Sequence, residues 1–145
     1  MIHIFDGAMG TMLQEGGLKP GGCPELMNLE QPDVVQKIHE AYIEAGATMI
    51  ETNTFGASAL KLDHYGLEDR VKEINEAAVK IAREASKGRA KIVGSLGPTG
   101  RFIVPLGDLE FEEAYRAFYE QAKALADAGA DYLLFETCID IQEMR

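Results

Sequence analysis

The sequence predicts an α/β fold built on a parallel sheet, and three observations predict it. Four short apolar runs alternate with longer stretches whose apolar residues recur at helical spacing, giving the order β-α-β-α-β-α-β. The joins after Gly46 and Gly129 are short, as αβ turns are. Each apolar run ends in small, hydroxyl or acidic residues: Asp6-Gly7-Ala8-Met9-Gly10-Thr11, Glu51-Thr52-Asn53-Thr54, Gly94-Ser95-Leu96-Gly97-Pro98-Thr99-Gly100 and Glu136-Thr137-Cys138. Strict alternation implies parallel strands joined by right-handed crossovers. A doubly wound dinucleotide fold would place G-x-G-x-x-G directly after its first strand. Here Gly7-Ala8-Met9-Gly10 has the wrong spacing and a loop follows. Ligand-like chemistry at every strand's C-terminal end favours the (β/α)8, or TIM, barrel, whose sites lie at that face. The same residues also fit plain turns, since Gly, Pro, Asn and Asp punctuate any fold.

Taken in order, the first strand is expected over Ile2 to Phe5. Gln14 to Gln31 carries Gly16, Gly17, Pro20, Gly21, Gly22 and Pro24 and reads as one long loop, either a lid beside Asp6 or a surface excursion. The first helix opens at Pro32-Asp33, buries Val34, Val35, Ile38, Ala41, Tyr42 and Ala45, and ends at Gly46. His39 falls off that stripe and is expected in solvent. The second strand covers Thr48 to Thr52. The second helix runs from Leu67 to Ser86, with Val71, Ile74, Ala77, Ala78, Ile81, Ala82 and Ala85 inward. The third strand is Lys91 to Gly94. The third helix runs from Phe111 to Ala128, with Phe111, Ala114, Tyr115, Phe118, Ala122 and Leu125 inward. The fourth strand is Tyr132 to Phe135.

A weak internal repeat bears on function. Ala45-Gly46-Ala47 precedes Glu51, and Ala128-Gly129-Ala130 precedes Glu136. The two glycine-to-glutamate gaps, 5 and 7, differ by one strand repeat, so both glutamates can face the same side of the sheet. After the fourth strand, Asp140-Ile141-Gln142-Glu143 reads as a capping box opening a further helix, and the sequence stops at Arg145. A complete barrel typically needs ~250 residues. The 145 residues are therefore expected to be the first four βα units of a barrel, cut at the start of its fourth helix.

Composition narrows the classes of partner. Hydrophobic content of 46% is that of a folded domain. A net charge of −10 disfavours nucleic acid and anionic membrane, which need a basic face. No apolar run approaches the ~18 residues of a membrane span, and the first residues lack the pattern of a signal peptide. Two cysteines, Cys23 and Cys138, make no disulfide framework and fit a reducing cytoplasm. Neither cysteine belongs to a CxxC or sits at metal-ligand spacing from a histidine, and His3, His39 and His64 share no such spacing.

Several of these motifs together resemble the homocysteine S-methyltransferase family. They are Asp6-Gly-Ala-Met-Gly-Thr11, Pro24-Glu-Leu-Met-Asn-Leu29, His39-Glu-Ala-Tyr42, Glu51-Thr-Asn-Thr-Phe-Gly-Ala57, Tyr65-Gly-Leu-Glu-Asp69, Gly94-Ser-Leu-Gly-Pro-Thr-Gly100 and Glu136-Thr137. The likeness spans almost the whole chain and is strongest to the N-terminal homocysteine-binding module of the family's cobalamin-dependent branch. It implies that residues 1–145 are the N-terminal half of one barrel domain, with no second domain.

The resemblance implies methyl transfer to the sulfur of homocysteine, forming methionine. In that family zinc is held by three cysteine thiolates and deprotonates the homocysteine thiol, turning a poor nucleophile into a good one. Those cysteines belong to the second half of the barrel, and Cys23 and Cys138 do not match them, so neither catalytic residues nor metal ligands are expected in this chain. The methyl donor implied is methylcobalamin on another module; betaine, S-methylmethionine and a folate-linked donor remain alternatives. By resemblance the first half holds the amino-acid end of the substrate. Asp6 and Glu136 face the ammonium, backbone N–H groups of Gly7, Ala8 and Met9 take the carboxylate, and Glu51, Asn53, Thr54 and Ser95 form the floor. Glu51 is open to a purely structural role as well. The partners implied are homocysteine, the remaining half of the barrel and a cobalamin-binding module. A catalytically silent half-barrel that associates through its open sheet edges is the alternative from another class.

Overall fold

A computed structural model describes residues 2–145. In chain order the elements are α1 (Gly10–Glu15), α2 (Met27–Glu30), α3 (Pro32–Glu44), β1 (Met49–Glu51), α4 (Ala59–Leu62), α5 (Val71–Ser86), β2 (Lys91–Leu96), α6 (Phe111–Asp127) and β3 (Tyr132–Phe135). Short 3-10 turns occupy Asp63–Tyr65, Glu68–Arg70 and Ile141–Met144. The sheet is parallel, in the order β1-β2-β3. The chain is thus α/β with sequential parallel strands, as the alternation of periods predicts.

Two layers form because each strand has one face for helices and one for the site. Ile50 pairs with Ile92 across β1 and β2. With Leu96, these residues pack against Ile43 of α3, Val79 and Ala82 of α5, and Phe118 and Leu125 of α6. Ile50, Ile92, Leu96 and Leu125 are fully buried. Burying each such side chain stabilises by about 1.5–3 kcal/mol, which makes this layer the main support of the sheet. The left-handed glycines Gly46 and Gly129, at φ 109° and 94°, close α3 and α6 and let the chain turn directly into β1 and β3.

Several local expectations are corrected. Ile2 to Phe5 is not a regular strand. Phe5 makes an isolated parallel bridge to Met49, the Ile4 carbonyl accepts from the N–H groups of Thr48 (2.8 Å) and Met49 (3.0 Å), and Asp6 N–H donates to the Met49 carbonyl at 3.0 Å. The segment therefore lies beside β1 as expected. Ile2 is 87% exposed, and among the described residues nothing pairs along the segment's outer side to complete a ladder.

The stretch from Gln14 to Gln31 is not one loop. The C-terminal end of α1 and the whole of α2 fall within it, and Cys23, Glu25, Met27 and Asn28 are buried. Met27 packs with Leu13, Val35, Ile38 and Ile81, and Leu18 packs against the same cluster, so apolar side chains anchor the segment against α3 and α5.

His39 is fully buried instead of solvated. Helix α3 is contacted by α1, α2, α5 and β1, so its covered arc is wider than one apolar stripe. Conversely, Phe111 and Tyr115 of α6, expected inward, are 42% and 54% exposed. They lie with Tyr119, Phe135 and Met144 along a groove of about 260 Å³.

The expected fourth helix is a 3-10 turn. Asp140 Oδ1 caps it by accepting from Gln142 N–H at 3.0 Å. Glu143 does not reach back to the cap, as a capping box would require. Its carboxylate accepts from the N–H (2.8 Å) and hydroxyl (2.7 Å) of Thr99, and Asp140 Oδ2 accepts from Ile103 N–H at 3.0 Å. The turn thereby ties down the loop after β2. No helix among the described residues is long and apolar enough to cross a membrane.

Candidate functional site

The strand ends meet around one cavity of about 440 Å³. Its lining includes all nine residues singled out in the sequence: Asp6, Gly7, Ala8, Met9, Glu51, Asn53, Thr54, Ser95 and Glu136. Register explains why three of them converge. Glu51 lies opposite Val93, Ser95 lies two residues beyond Val93 and opposite Leu134, and Glu136 lies two beyond Leu134. Side chains alternate along a strand, so Glu51, Ser95 and Glu136 share the sheet face opposite Ile50, Ile92 and Leu96.

The carboxyl groups are held individually. Asp6 Oδ2 accepts from the Glu51 N–H at 3.0 Å, which ties the first segment to the end of β1. Ser95 Oγ donates a short hydrogen bond to Glu136 Oε1. Glu51 and Glu136 line the same cavity from the one face of the sheet. Burial, then the neighbouring Glu136 and Asp6 charges, push the Glu51 carboxyl up to about 7. Burial raises Asp6 to about 6 against the opposing effect of its backbone hydrogen bonds, with a smaller upward push from Glu136.

The floor is a closed hydrogen-bond network. Thr54 Oγ donates to the Ser95 carbonyl at 2.7 Å, and Thr52 Oγ accepts from Ser95 N–H at 3.2 Å. A hydroxyl has one proton, so in the 2.6 Å contact between the two threonines Thr52 is the donor. Asn53 uses its amide N–H groups on the Pro24 carbonyl (2.8 Å) and Asn28 Oδ1 (3.1 Å), and Asn28 Nδ2 donates back to the Asn53 carbonyl at 2.8 Å. Asn53 and Thr54 therefore shape the cavity through bonds within the protein. Tyr42 Oη donates to the Ala8 carbonyl at 2.7 Å, and its ring lies 3.0 Å from where a Cβ on Gly7 would sit. Among the described residues the N–H groups of Gly7, Ala8 and Met9 donate to no protein acceptor, so the wall they form can offer donors to a ligand.

Three further residues build the site without having been singled out. Glu25 lines the cavity, accepts from Gly56 N–H at 2.7 Å, and takes the Cys23 thiol at 3.3 Å. Burial and the adjacent Glu25 push that thiol up to about 11, so Cys23 acts as a neutral donor. Asn28 pairs with Asn53, as described above. Gln121 of α6 donates to the carbonyls of Thr54 (2.7 Å) and Ser95 (3.4 Å) from behind the sheet. A signal existed for each. Glu25 and Asn28 are the polar members of the Pro24–Leu29 motif, and Gln121 interrupts the apolar stripe between Phe118 and Leu125.

A three-thiolate zinc centre does not fit this set. Among the described residues no three His, Cys, Asp or Glu side chains are grouped to hold a metal ion. Cys23 is buried among Ala57, Leu62, Val71 and Ile74, whereas Cys138 is half-buried just past β3.

Comparison with known proteins follows the same lines. A family model described as homocysteine S-methyltransferase matches residues 3–145. Methionine synthases of Mycobacterium tuberculosis and Mycobacterium leprae are 37% and 35% identical over 156 aligned residues, covering 99% of this chain. The chain spans 13% of those proteins' length. The solved homocysteine methyltransferase MmuM from Escherichia coli superposes in its metallated form with a TM-score of 0.84 at 26% identity, covering 99% of this chain and 56% of that one. Its apo form gives a TM-score of 0.73 over 52% of its chain.

Proposed function

The chain belongs to the homocysteine S-methyltransferase family, and from that premise we propose that it binds the amino-acid end of homocysteine in a methyl transfer of the methionine synthase type. One observation supports this most directly. Among the described residues the cavity is lined by four carboxyl residues and no Lys, Arg or His, yet one wall carries three backbone N–H groups without a protein acceptor. Such a site suits a zwitterion. Asp6 and Glu136 receive the ammonium through charge-assisted hydrogen bonds, and Gly7, Ala8 and Met9 direct N–H groups at the carboxylate. Glu51, Asn53, Thr54 and Ser95 hold these groups in place.

In this reading the chain fixes the substrate's orientation and leaves the sulfur to the rest of the protein. The relatives extend well beyond the matched stretch, which supports placing the zinc ligands, the cobalamin-bearing module and the other βα units outside these residues. Zinc would supply acidification of the thiol, but the residues present here do not form its site. The groove along Phe111, Tyr115, Tyr119 and Phe135 suits coverage by the next βα units. This reading places the protein in the cytoplasm, with methylcobalamin as donor.

The test is calorimetric titration of the complete protein with homocysteine and with 4-mercaptobutyrate, which keeps the thiol and carboxylate but lacks the ammonium. Homocysteine is expected to bind at least ~30-fold more tightly, the effect of an unpaired buried charge of ~2 kcal/mol or more. Equal affinity would refute the assignment of Asp6 and Glu136.

A further inference from the structure

We propose that Tyr42 is a positioning residue for recognition of the amino acid's carboxylate: its phenol fixes the Ala8–Met9 peptide so that the Met9 N–H faces the cavity. The proposal rests on reading this cavity as an amino-acid site.

Tyr42 belongs to α3 and stands outside the cavity lining, whereas Gly7, Ala8 and Met9 form one wall of it. Its ring packs against two core clusters, one containing Ile43 and Ile50 and the other Leu13 and Val35. Its backbone carbonyl accepts from Ala47 N–H at 3.0 Å, which fixes the residue to the turn leading into β1. From this base Tyr42 Oη donates to the Ala8 carbonyl at 2.7 Å. The ring also fills the space beside Gly7, where a Cβ would lie 3.0 Å from Cε1 and 3.1 Å from Oη. One phenol thus holds two successive residues of the wall.

Peptide planarity carries that hold across to the cavity. The bond between Ala8 and Met9 is trans, and in a planar trans peptide the C=O and N–H point in opposite directions. Anchoring the Ala8 carbonyl toward α3 therefore turns the Met9 N–H away from α3. Ala8 and Met9 line the cavity and Tyr42 does not, so the side away from Tyr42 is the cavity side. Among the described residues the Met9 N–H donates to no protein acceptor, which leaves it for a ligand. The segment would not keep this orientation unaided. Gly7 and Gly10 flank the pair, and glycine imposes little on the backbone. Without the phenol, the carbonyl of the exposed Ala8 could take its hydrogen bond from water. A flipped peptide would then present an oxygen to the ligand's carboxylate where a donor is needed. Tyr42 acts on carboxylate affinity in this way without touching the ligand.

The experiment compares homocysteine with 3-aminopropane-1-thiol, which keeps the thiol and ammonium but lacks the carboxylate. Both are titrated calorimetrically into the complete protein and into its Tyr42→Phe variant. Phenylalanine keeps the ring against Gly7 and removes only the donor. The variant should bind homocysteine about 3- to 10-fold more weakly than the parent, the effect of one lost hydrogen bond, and should bind the aminothiol as the parent does. The two ligands differ only in the carboxylate, so contacts made outside this chain cancel in the comparison. Unchanged homocysteine affinity would overturn the proposal. So would an equal loss for both ligands, since Tyr42 would then merely support the fold. Either result leaves the amino-acid reading intact. A parent that does not distinguish the two ligands would instead refute the carboxylate wall itself, and the role of Tyr42 with it.

Discussion

The side-chain amide of Gln121 donates to the carbonyl of Thr54 at 2.7 Å, linking positions 67 residues apart. Gln121 is fully buried on α6, and Thr54 lies in the cavity floor just past β1. The same amide reaches the Ser95 carbonyl at the end of β2. The helix layer thus grips the floor of the site directly, and does not merely support the sheet from behind.

Gln121→Leu should therefore destabilise the protein by about 1–3 kcal/mol. It fills similar space but leaves the buried Thr54 carbonyl without its donor. Urea unfolding monitored on the variant and its parent measures the difference, and equal midpoints would mean that the tether contributes nothing.

Gly97→Ala should lower stability by about 1–3 kcal/mol. A Cβ there would lie 2.6 Å from the Phe55 carbonyl oxygen and 2.7 Å from the Phe55 ring. Phe55 also lines the cavity and accepts from Gly97 N–H at 3.0 Å, so relief of the clash must move site backbone. Loss of thermal stability accompanied by weaker homocysteine binding is the expected pair of results. A variant with parental melting temperature and affinity would show that this turn yields freely.

His39 makes stability fall in mild acid. Burial holds its imidazole down to about 4, against 6.5 for an unburied one, and among the described residues neither ring nitrogen has a partner. The unfolded chain therefore binds the extra proton first as pH drops. The contribution of the neutral ring is complete above about pH 6.5 and is lost as pH falls toward 4, by up to ~3 kcal/mol. Asp6 and Glu51 act in the opposite sense. Their folded values of about 6 and 7 lie above the usual carboxyl range, so they favour the fold in acid and lose that effect as pH rises through those values. His39→Leu separates the two trends. Its stability relative to the parent should grow between pH 7.5 and 5, and a constant difference would rule out the histidine as the source.

Glu136→Gln should weaken homocysteine binding by the complete protein at least ~30-fold, because it leaves the ammonium facing one charged partner fewer. Zinc content should not change, since no thiolate is touched. Parental affinity would refute the ammonium role, and simultaneous loss of zinc would make Glu136 a support of the metal or the fold.

How much of this was legible depends on the range of the interaction. The alternation of β1, α5, β2, α6 and β3 could be read from periodicity because each element's own residues encode its buried face. The shared orientation of Glu51 and Glu136 followed from counting in steps of two from Gly46 and Gly129, and the register of the sheet puts both on the cavity face. The nine strand-end residues gather at one cavity because a parallel sheet places every strand's C-terminal end on one side. Helix faces were less legible. His39 and Tyr115 were misplaced because burial on a helix depends on which neighbours cover it, and α3 is enclosed on several sides while the Phe111–Tyr119 face of α6 is not.

By itself, then, the sequence determined the order of elements, the polar strand ends and the parity of the site carboxyls, all set by local pattern. Tertiary structure alone decided that Glu25, Asn28 and Gln121 belong to the site, since each acts through a hydrogen bond to a residue at least 25 positions away. It also decided the electrostatics of the cavity, where burial pushes the Asp6 and Glu51 carboxyls above their ordinary range. A carboxyl's charge depends on burial and on the charges beside it, and neither exists until Asp6, Glu51 and Glu136 line one cavity that, among the described residues, holds no basic side chain.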